Sequence, residues 1–141
     1  MKLKIKKLHA DAVLPKYATK DDAGMDLFSI ENVEIIPMER KQVGTGIAME
    51  IPEGHVGLVW DKSGLSHKFG LKTIGGVIDP GYRGEIKVGI INLGTEKYTF
   101  EKGHKVAQMI IQKKETPEIV EVNELDLNTE RGEGAFGSTG K

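Results

Sequence analysis

The chain predicts an all-β domain, a sandwich or barrel of short strands, on three observations. Apolar residues alternate with polar ones along much of the sequence: Val43, Thr45, Ile47, Met49 and Ile51 hold a period of two, and Val56, Leu58 and Trp60 resume it after the turn Pro52-Glu53-Gly54. Turn signals recur every roughly 8–12 residues, the spacing of small β architectures. No segment sustains the helical period of about 3.6 residues. The 18 glycines among 141 residues exceed the usual share of about 7% and fall in turns and in two dense clusters, as many short strands require.

Taken in order, the first strand alternates Leu3, Ile5 and Lys7 with lysines. Lys2, Lys4, Lys6 and Lys7 read as the solvated face of an edge strand, where charge discourages further pairing. Val33, Ile35 and Ile36 form the next strand and stop at Pro37. Trp60 ends the strand from Val56 and belongs in the core or at an interface. Ser63 to Lys68 is the best helix candidate, opened by a serine suited to capping. Val77-Ile78 then leads into Asp79-Pro80-Gly81, followed by Tyr82, Arg83 and the alternating Ile86, Val88 and Ile90. Proline presets φ and glycine accepts φ > 0, so this reads as a hairpin that presents an acid, an aromatic face and a cation together. Further strands are expected around 86–92, 97–101, 105–112 and 118–122.

Residues 1–122 form a single β domain in this reading, and 123–141 a C-terminal arm. From Thr129 onward the arm has one large apolar residue, Phe136, among Gly132, Gly134, Gly137 and Gly140. Such a segment packs no core and is mobile without a ligand. A lone aromatic there has a ligand or another chain as its natural burial partner.

Composition excludes several classes of function. With 20 Lys+Arg against 21 Asp+Glu the net charge is -1, which gives no field for nucleic acid or a membrane surface. The absence of cysteine excludes a disulfide framework and thiolate metal sites and suits a reducing, cytoplasmic compartment. No apolar run approaches the ~20 residues of a membrane span, and the N-terminus lacks the apolar stretch of a signal peptide. His9, His55, His67 and His104 have no metal-ligand spacing. The sequence Gly137-Ser138-Thr139-Gly140-Lys141 hints at a phosphate loop, but the spacing requires glycine where Ala135 stands.

Five segments carry the chemistry: Ala23-Gly24-Met25-Asp26-Leu27; Lys62-Ser63-Gly64-Leu65; Gly76-Val77-Ile78-Asp79-Pro80-Gly81-Tyr82-Arg83-Gly84; Gly103-His104-Lys105-Val106-Ala107-Gln108; and Arg131 through Gly140. In this order and spacing the chain closely resembles the trimeric dUTP diphosphatases, the dUTPases. The resemblance implies a distorted jelly-roll of the β-clip type, assembled as a homotrimer with a swapped or reaching C-terminal tail. It implies active sites that each draw on three subunits, the third and fifth segments coming from chains other than the one giving the first, second and fourth. The implied reaction is hydrolysis of dUTP to dUMP and pyrophosphate with Mg²⁺, which limits uracil incorporation into DNA and supplies dUMP for dTMP synthesis.

Roles follow from the resemblance residue by residue. Asp79 matches the carboxylate that orients and deprotonates the attacking water, a task for one ionised acceptor within hydrogen-bond reach. Tyr82 matches the ring that packs under the deoxyribose and leaves no room for a 2′-hydroxyl. The backbone from Val77 to Lys87, with Gly76 and Ile78, matches the slot that reads the uracil edge, where mispairing rejects cytosine. Lys62, Ser63, Gly64 and Gln108 match phosphate contacts. Asp26 matches a carboxylate near Mg²⁺ that acts through water, in keeping with an ion that retains waters and takes phosphate ligands. In the tail, Arg131 matches a γ-phosphate ligand, Phe136 the ring closing over uracil, and Gly137 and Ser138 phosphate contacts, so that the tail orders on substrate.

The sequence departs from the family pattern at several points. Lys62 stands where arginine is usual and exchanges a bidentate fork for a point charge. Asp61 adds a negative charge beside it, the 68–75 loop is slightly short, His104 replaces a frequent aspartate, and Ala135 replaces a usual glycine. Two other functions compete. The related dCTP deaminases carry a catalytic glutamate where this chain has Gly89, and without it deamination lacks its proton shuttle. A dUTP-binding regulatory protein without turnover is the other, and intact Asp79, Tyr82, Arg131 and Phe136 argue against it.

Overall fold

The computed structural model describes residues 1–136, 138 and 140. Among them run β1 Lys4–Lys7, β2 Met25–Phe28, β3 Val33–Ile35, β4 Arg40–Glu50, β5 His55–Trp60, α1 Ser63–Phe69, β6 Leu71–Ile74, β7 Val77–Ile78, β8 Glu85–Asn92, β9 Tyr98–Phe100 and β10 Lys105–Lys113. One four-stranded sheet has the order β1-β4-β8-β6 and a second β2-β10-β5-β7, while β3 and β9 form a separate pair. The named strand pairs are antiparallel. The architecture is the all-β fold that the strand pattern predicts and the jelly-roll that the resemblance implies, with β1 and its lysines at a sheet edge.

Alternation decides which side chains meet. Along β8, Ile86, Val88, Ile90 and Asn92 point inward and join Val43, Ile47 and Met49 of β4 and Leu27, Val106 and Met109 of the opposite sheet in one core. Each such aliphatic side chain contributes roughly 1.5–3 kcal/mol when fully buried. The inward Asn92 is fully satisfied. Its amide nitrogen donates to the carbonyls of Ile35 (2.9 Å) and Glu96 (2.8 Å), and its Oδ1 accepts from Gly94 N–H at 2.9 Å.

β4 breaks the alternation. Residues 43–49 are all buried, and the register with β8 shifts between Gly44 and Ala48. Gly46 sits at that shift with φ of 67°, a conformation that glycine adopts without steric cost. The Glu85 carboxylate accepts its N–H at 2.9 Å, tying the start of β8 to the bulge.

Several expectations are corrected. α1 does form, but its cap is Lys62, without a side-chain hydrogen bond, so Ser63 occupies the first helical position. No strand forms over 118–122, and Ile119, Val120 and Val122 are exposed. Of the two places expected for Trp60, core or interface, its half exposure removes the core. β2, β6 and the pairing of β7 were not legible, being short and, in β2, buried throughout.

Candidate active site

The turn carrying Asp79 does not join two paired strands. β7 pairs with β5 in one sheet, through Gly57 opposite Ile78 and Leu58 opposite Val77, while β8 pairs with β4 and β6 in the other. The turn therefore bridges the sheets at their rim. Tyr82 N–H donates to the Asp79 carbonyl at 3.1 Å, and Gly81 is not among the residues of positive φ. The turn thus makes no use of glycine's left-handed freedom, and proline's preset φ suffices. Arg83 closes it by donating to the carbonyls of Pro80 (2.6 Å) and Tyr82 (2.9 Å).

Asp79 lies exposed at the lip of a cleft of about 410 Å³ lined by Gln42, Val77, Ile78, Tyr82, Glu85 and Lys87. A second cleft, about 580 Å³, adjoins it. Gln42, Val77, Ile78 and Lys87 line both, and Gly76, Val88 and Gly89 line the second. The expected slot residues Gly76, Val77, Ile78 and Lys87 are thus together, beside Asp79 and Tyr82. Gly76 approaches its neighbour closely: a Cβ there would lie 2.7 Å from the Val59 carbonyl oxygen. Gln42 was not found from sequence, since only the β4–β8 register, which sets it opposite Gly89, brings it to this rim.

A second cluster gathers the first, second and fourth segments. Asp26, 2% exposed, forms an ion pair with Lys62 through Oδ1, and its Oδ2 faces Lys105 Nζ at 2.7 Å. Burial pushes the Asp26 carboxyl up, but the two lysines outweigh it and hold the group below the ordinary aspartate value. Gln108 lies opposite Asp26 in the β2–β10 register and opposite Trp60 across β5. Its amide nitrogen donates to the Asp61 carbonyl at 2.8 Å. Ser63 and Gly64 are exposed beside it, and a Cβ on Gly64 would meet nothing within 4 Å.

The Asp61 side chain does not add free charge to this cluster, contrary to expectation. Its Oδ2 pairs with Lys72 at 2.7 Å, and Oδ1 accepts from the N–H and hydroxyl of Thr73, both at 2.7 Å. Burial raises its carboxyl, yet Lys72 and Thr73 bring the net direction below the ordinary value. His104 accepts a backbone hydrogen bond from Glu101 at 3.0 Å through Nδ1.

One chain does not unite the two clusters. Asp79 follows Ile78, which lies opposite Gly57, whereas Lys62 lies beyond the other end of β5 at Trp60. The six residue steps from Val56 to Lys62 correspond to about 20 Å of extended chain. Nor do the described residues of the tail join either cluster. Arg131 Nε donates to the Gly134 carbonyl at 2.9 Å, Ser138 N–H to Ala135 at 3.1 Å, and Phe136 is fully exposed with φ of 49°. The Gly137 expectation falls outside the described residues.

Among the described residues no three His, Asp or Glu side chains group to hold a metal ion, and no helix is long and apolar enough to cross a membrane. Position 89 admits no side chain in place: a Cβ on Gly89 would lie 2.7 Å from the Ile74 carbonyl oxygen. The carboxylate that a deaminase needs there has no room.

A dUTPase family profile matches residues 10–140. The chain belongs to the dUTPase family. It is 51% identical to the deoxyuridine 5′-triphosphate nucleotidohydrolase of Clostridium kluyveri, over 99% of both chains. It is 50% identical to that of Nautilia profundicola, over the full length of both. Among solved structures it is similar to the Staphylococcus bacteriophage 80alpha dUTPase with dUpNHpp, with a TM-score of 0.93 and 35% identity over 99% of each chain. It is also similar to the dUTPase of phage phi11 of S. aureus, described with a coordinated structural Mg(II) ion. There the TM-score is 0.84 and the identity 32%, over 89% of this chain and 99% of that one.

Proposed function

We propose that this chain hydrolyses dUTP to dUMP and pyrophosphate, with Asp79 as the general base. The observation that carries this reading is the rim turn that sets the exposed Asp79 carboxylate and the Tyr82 ring on one cleft, with the backbone of Gly76 to Ile78 as its wall. Uracil enters the slot between that wall and Lys87, and the Tyr82 ring lies under the deoxyribose. Asp79 accepts a proton from a water whose oxygen attacks the α-phosphorus in line. The bond from that phosphorus to the bridging oxygen breaks, and pyrophosphate leaves. General-base assistance of this kind contributes roughly 10²–10⁴ in rate. The reaction keeps uracil out of DNA and supplies dUMP for dTMP synthesis. A cytoplasmic location belongs to the same reading, since a cysteine-free chain needs no oxidising compartment.

The phosphates go to the other cluster, where Lys62, Ser63, Gly64 and Gln108 converge and Lys105 adds a second ammonium. The separation of about 20 Å along the extended chain from Val56 through β5 to Lys62 supports a homotrimer in which that cluster faces the Asp79 turn of a neighbouring copy. The tail residues Arg131, Phe136, Gly137 and Ser138 close over the nucleotide, Arg131 on the γ-phosphate and Phe136 over the base. Residues 1–122 act as the folded body and 123–141 as the arm that delivers the closing segment.

Mg²⁺ fits this site as an ion carried by the triphosphate, because Asp26 is the carboxylate set between Lys62 and Lys105 and, among the described residues, no three His, Asp or Glu side chains form a ready-made cage. When bound it offsets phosphate charge and favours departure of pyrophosphate. Asp26 would hold it through water, with Lys62 and Lys105 on the phosphates.

The test is pyrophosphate release from dUTP, dCTP, dTTP and UTP with Mg²⁺, products resolved by chromatography. Release from dUTP alone, with dUMP formed, is the expected result. Conversion of dCTP, or dUTP binding without turnover, overturns the proposal.

A further inference from the structure

Gly84 has an ordinary φ, so its backbone makes no demand for glycine. Its surroundings do. A Cβ at position 84 would stand 2.4 Å from the Tyr82 hydroxyl oxygen, 2.6 Å from Cζ and 3.0 Å from Cε2. Those are the three nearest atoms, and all belong to the Tyr82 ring. The ring lies down on the bare Gly84 backbone, and its hydroxyl donates to the Glu85 carbonyl at 2.9 Å. Tyr82 is nearly half exposed, so no packed core holds its position. The floor at Gly84 and the hydroxyl bond hold it.

The geometry points to Gly84 as the positioning residue for sugar selectivity: by lacking a side chain it seats the Tyr82 ring at the height that excludes a 2′-hydroxyl. This rests on the reading of Tyr82 as the platform under the deoxyribose. A methyl group at 84 displaces the outer end of the ring, breaks the hydroxyl bond to Glu85 and frees the platform to move. Glycine thus serves here for close approach, a use distinct from a left-handed turn. Gly81, three residues earlier in the same turn, is the internal contrast: its Cβ would meet nothing within 4 Å.

The experiment compares kcat/KM for dUTP and for UTP in G84A, G81A, Y82A and the double variant Y82A/G84A. The dUTP/UTP ratio falls about tenfold or more in G84A and stays within about twofold of the parent in G81A. In the Y82A background G84A changes the ratio by less than about twofold, because the atoms it would strike are gone. A ratio preserved in folded G84A, or an equal effect of G84A with and without the ring, overturns the inference. If G84A alone fails to fold, Y82A/G84A folds and carries the Y82A ratio; failure of the double variant to fold overturns the inference as well. An unchanged ratio in Y82A itself overturns the platform reading. A fall in Y82A with none in G84A removes only the role of Gly84.

Discussion

Lys62 and Asp26 form a direct ion pair that locks the second sequence segment onto the first, and Lys105 of the fourth completes it from the other carboxylate oxygen at 2.7 Å. One buried carboxylate thus holds two ammonium groups at the end of the site proposed for the phosphates. Asp26→Asn leaves both cations without their counter-charge. Breaking a fully buried pair costs about 3–5 kcal/mol; with both lysines partly in water, a loss of about 2 kcal/mol is expected at pH 7. Urea unfolding of the two proteins measures it, and equal midpoints would remove the ion pair from the account of stability.

The same pair sets a pH dependence. The folded-state pKa of Asp26 lies below the ordinary value of 3.8, so the folded protein binds fewer protons at this group than the unfolded chain does. Its contribution is fully present above about pH 4 and is lost as pH falls through the depressed folded value. The stability gap between the parent and Asp26→Asn should therefore hold from pH 7 to about pH 5 and narrow below pH 4. A gap that widens on acidification would show the sign to be wrong.

Much of this site is local in sequence and was legible for that reason. Asp79, Tyr82 and the Val77-Ile78 wall lie within six residues, and proline with glycine announces the turn. Period two gave β8, which lines the core with alternate side chains, and located β4 and β5, though β4 is buried throughout 43–49 and β5 buries Gly57 and Val59 in place of the alternating Val56, Leu58 and Trp60. What sequence could not supply is tertiary. Val77-Ile78 reads as one arm of a hairpin with Ile86, yet the two strands enter different sheets. Asp61 reads as an unwelcome charge until β6 brings Lys72 and Thr73 to it. Position 42 lies in an exposed stretch of polar residues and becomes part of the site only through the register of β4 on β8.

Gln108 reaches the proposed phosphate cluster by way of its grip on the Asp61 carbonyl, at 2.8 Å. It packs flat on Gly24, where a Cβ would lie 2.6 Å from its Oε1. Gln108→Ala removes both the grip and the amide, at a cost of about 1 kcal/mol in stability. The turn from Asp61 to Gly64 then loosens. The expected outcome is a KM for dUTP raised about tenfold with a smaller change in kcat, as for a group that binds ground state and transition state alike. A fall in kcat at constant KM would give Gln108 a role in the chemical step instead.

Residues 129–136 and 138 make their described hydrogen bonds to one another and to Leu127, and Phe136 is left bare. Removing 129–141 should leave thermal stability within about 0.5 kcal/mol of the parent, the usual range for changes away from packed features. Activity should fall by an order of magnitude or more, on the reading that closure excludes water from the reaction. Full activity of the truncated chain would end the case for a closing segment.

The distance between Asp79 and the Lys62 cluster makes a sharper demand. If each site takes its base from one copy and its phosphate contacts from another, two inactive variants can restore each other. Asp79→Asn removes the base. Gly64→Glu sets an acid against the phosphates at a position with open space around it, and a carboxylate in the first turn of α1 does not oppose the helix. Each variant alone should be nearly inactive as a folded assembly. In an equal mixture unfolded and refolded together, random assembly gives about a quarter of the sites two intact contributions, so activity should return to about a quarter of the parent level. Within a single chain no combination of these variants can rebuild a site. A mixture no more active than its separate components would mean that one copy supplies both groups, with the chain rearranging to close the gap along β5.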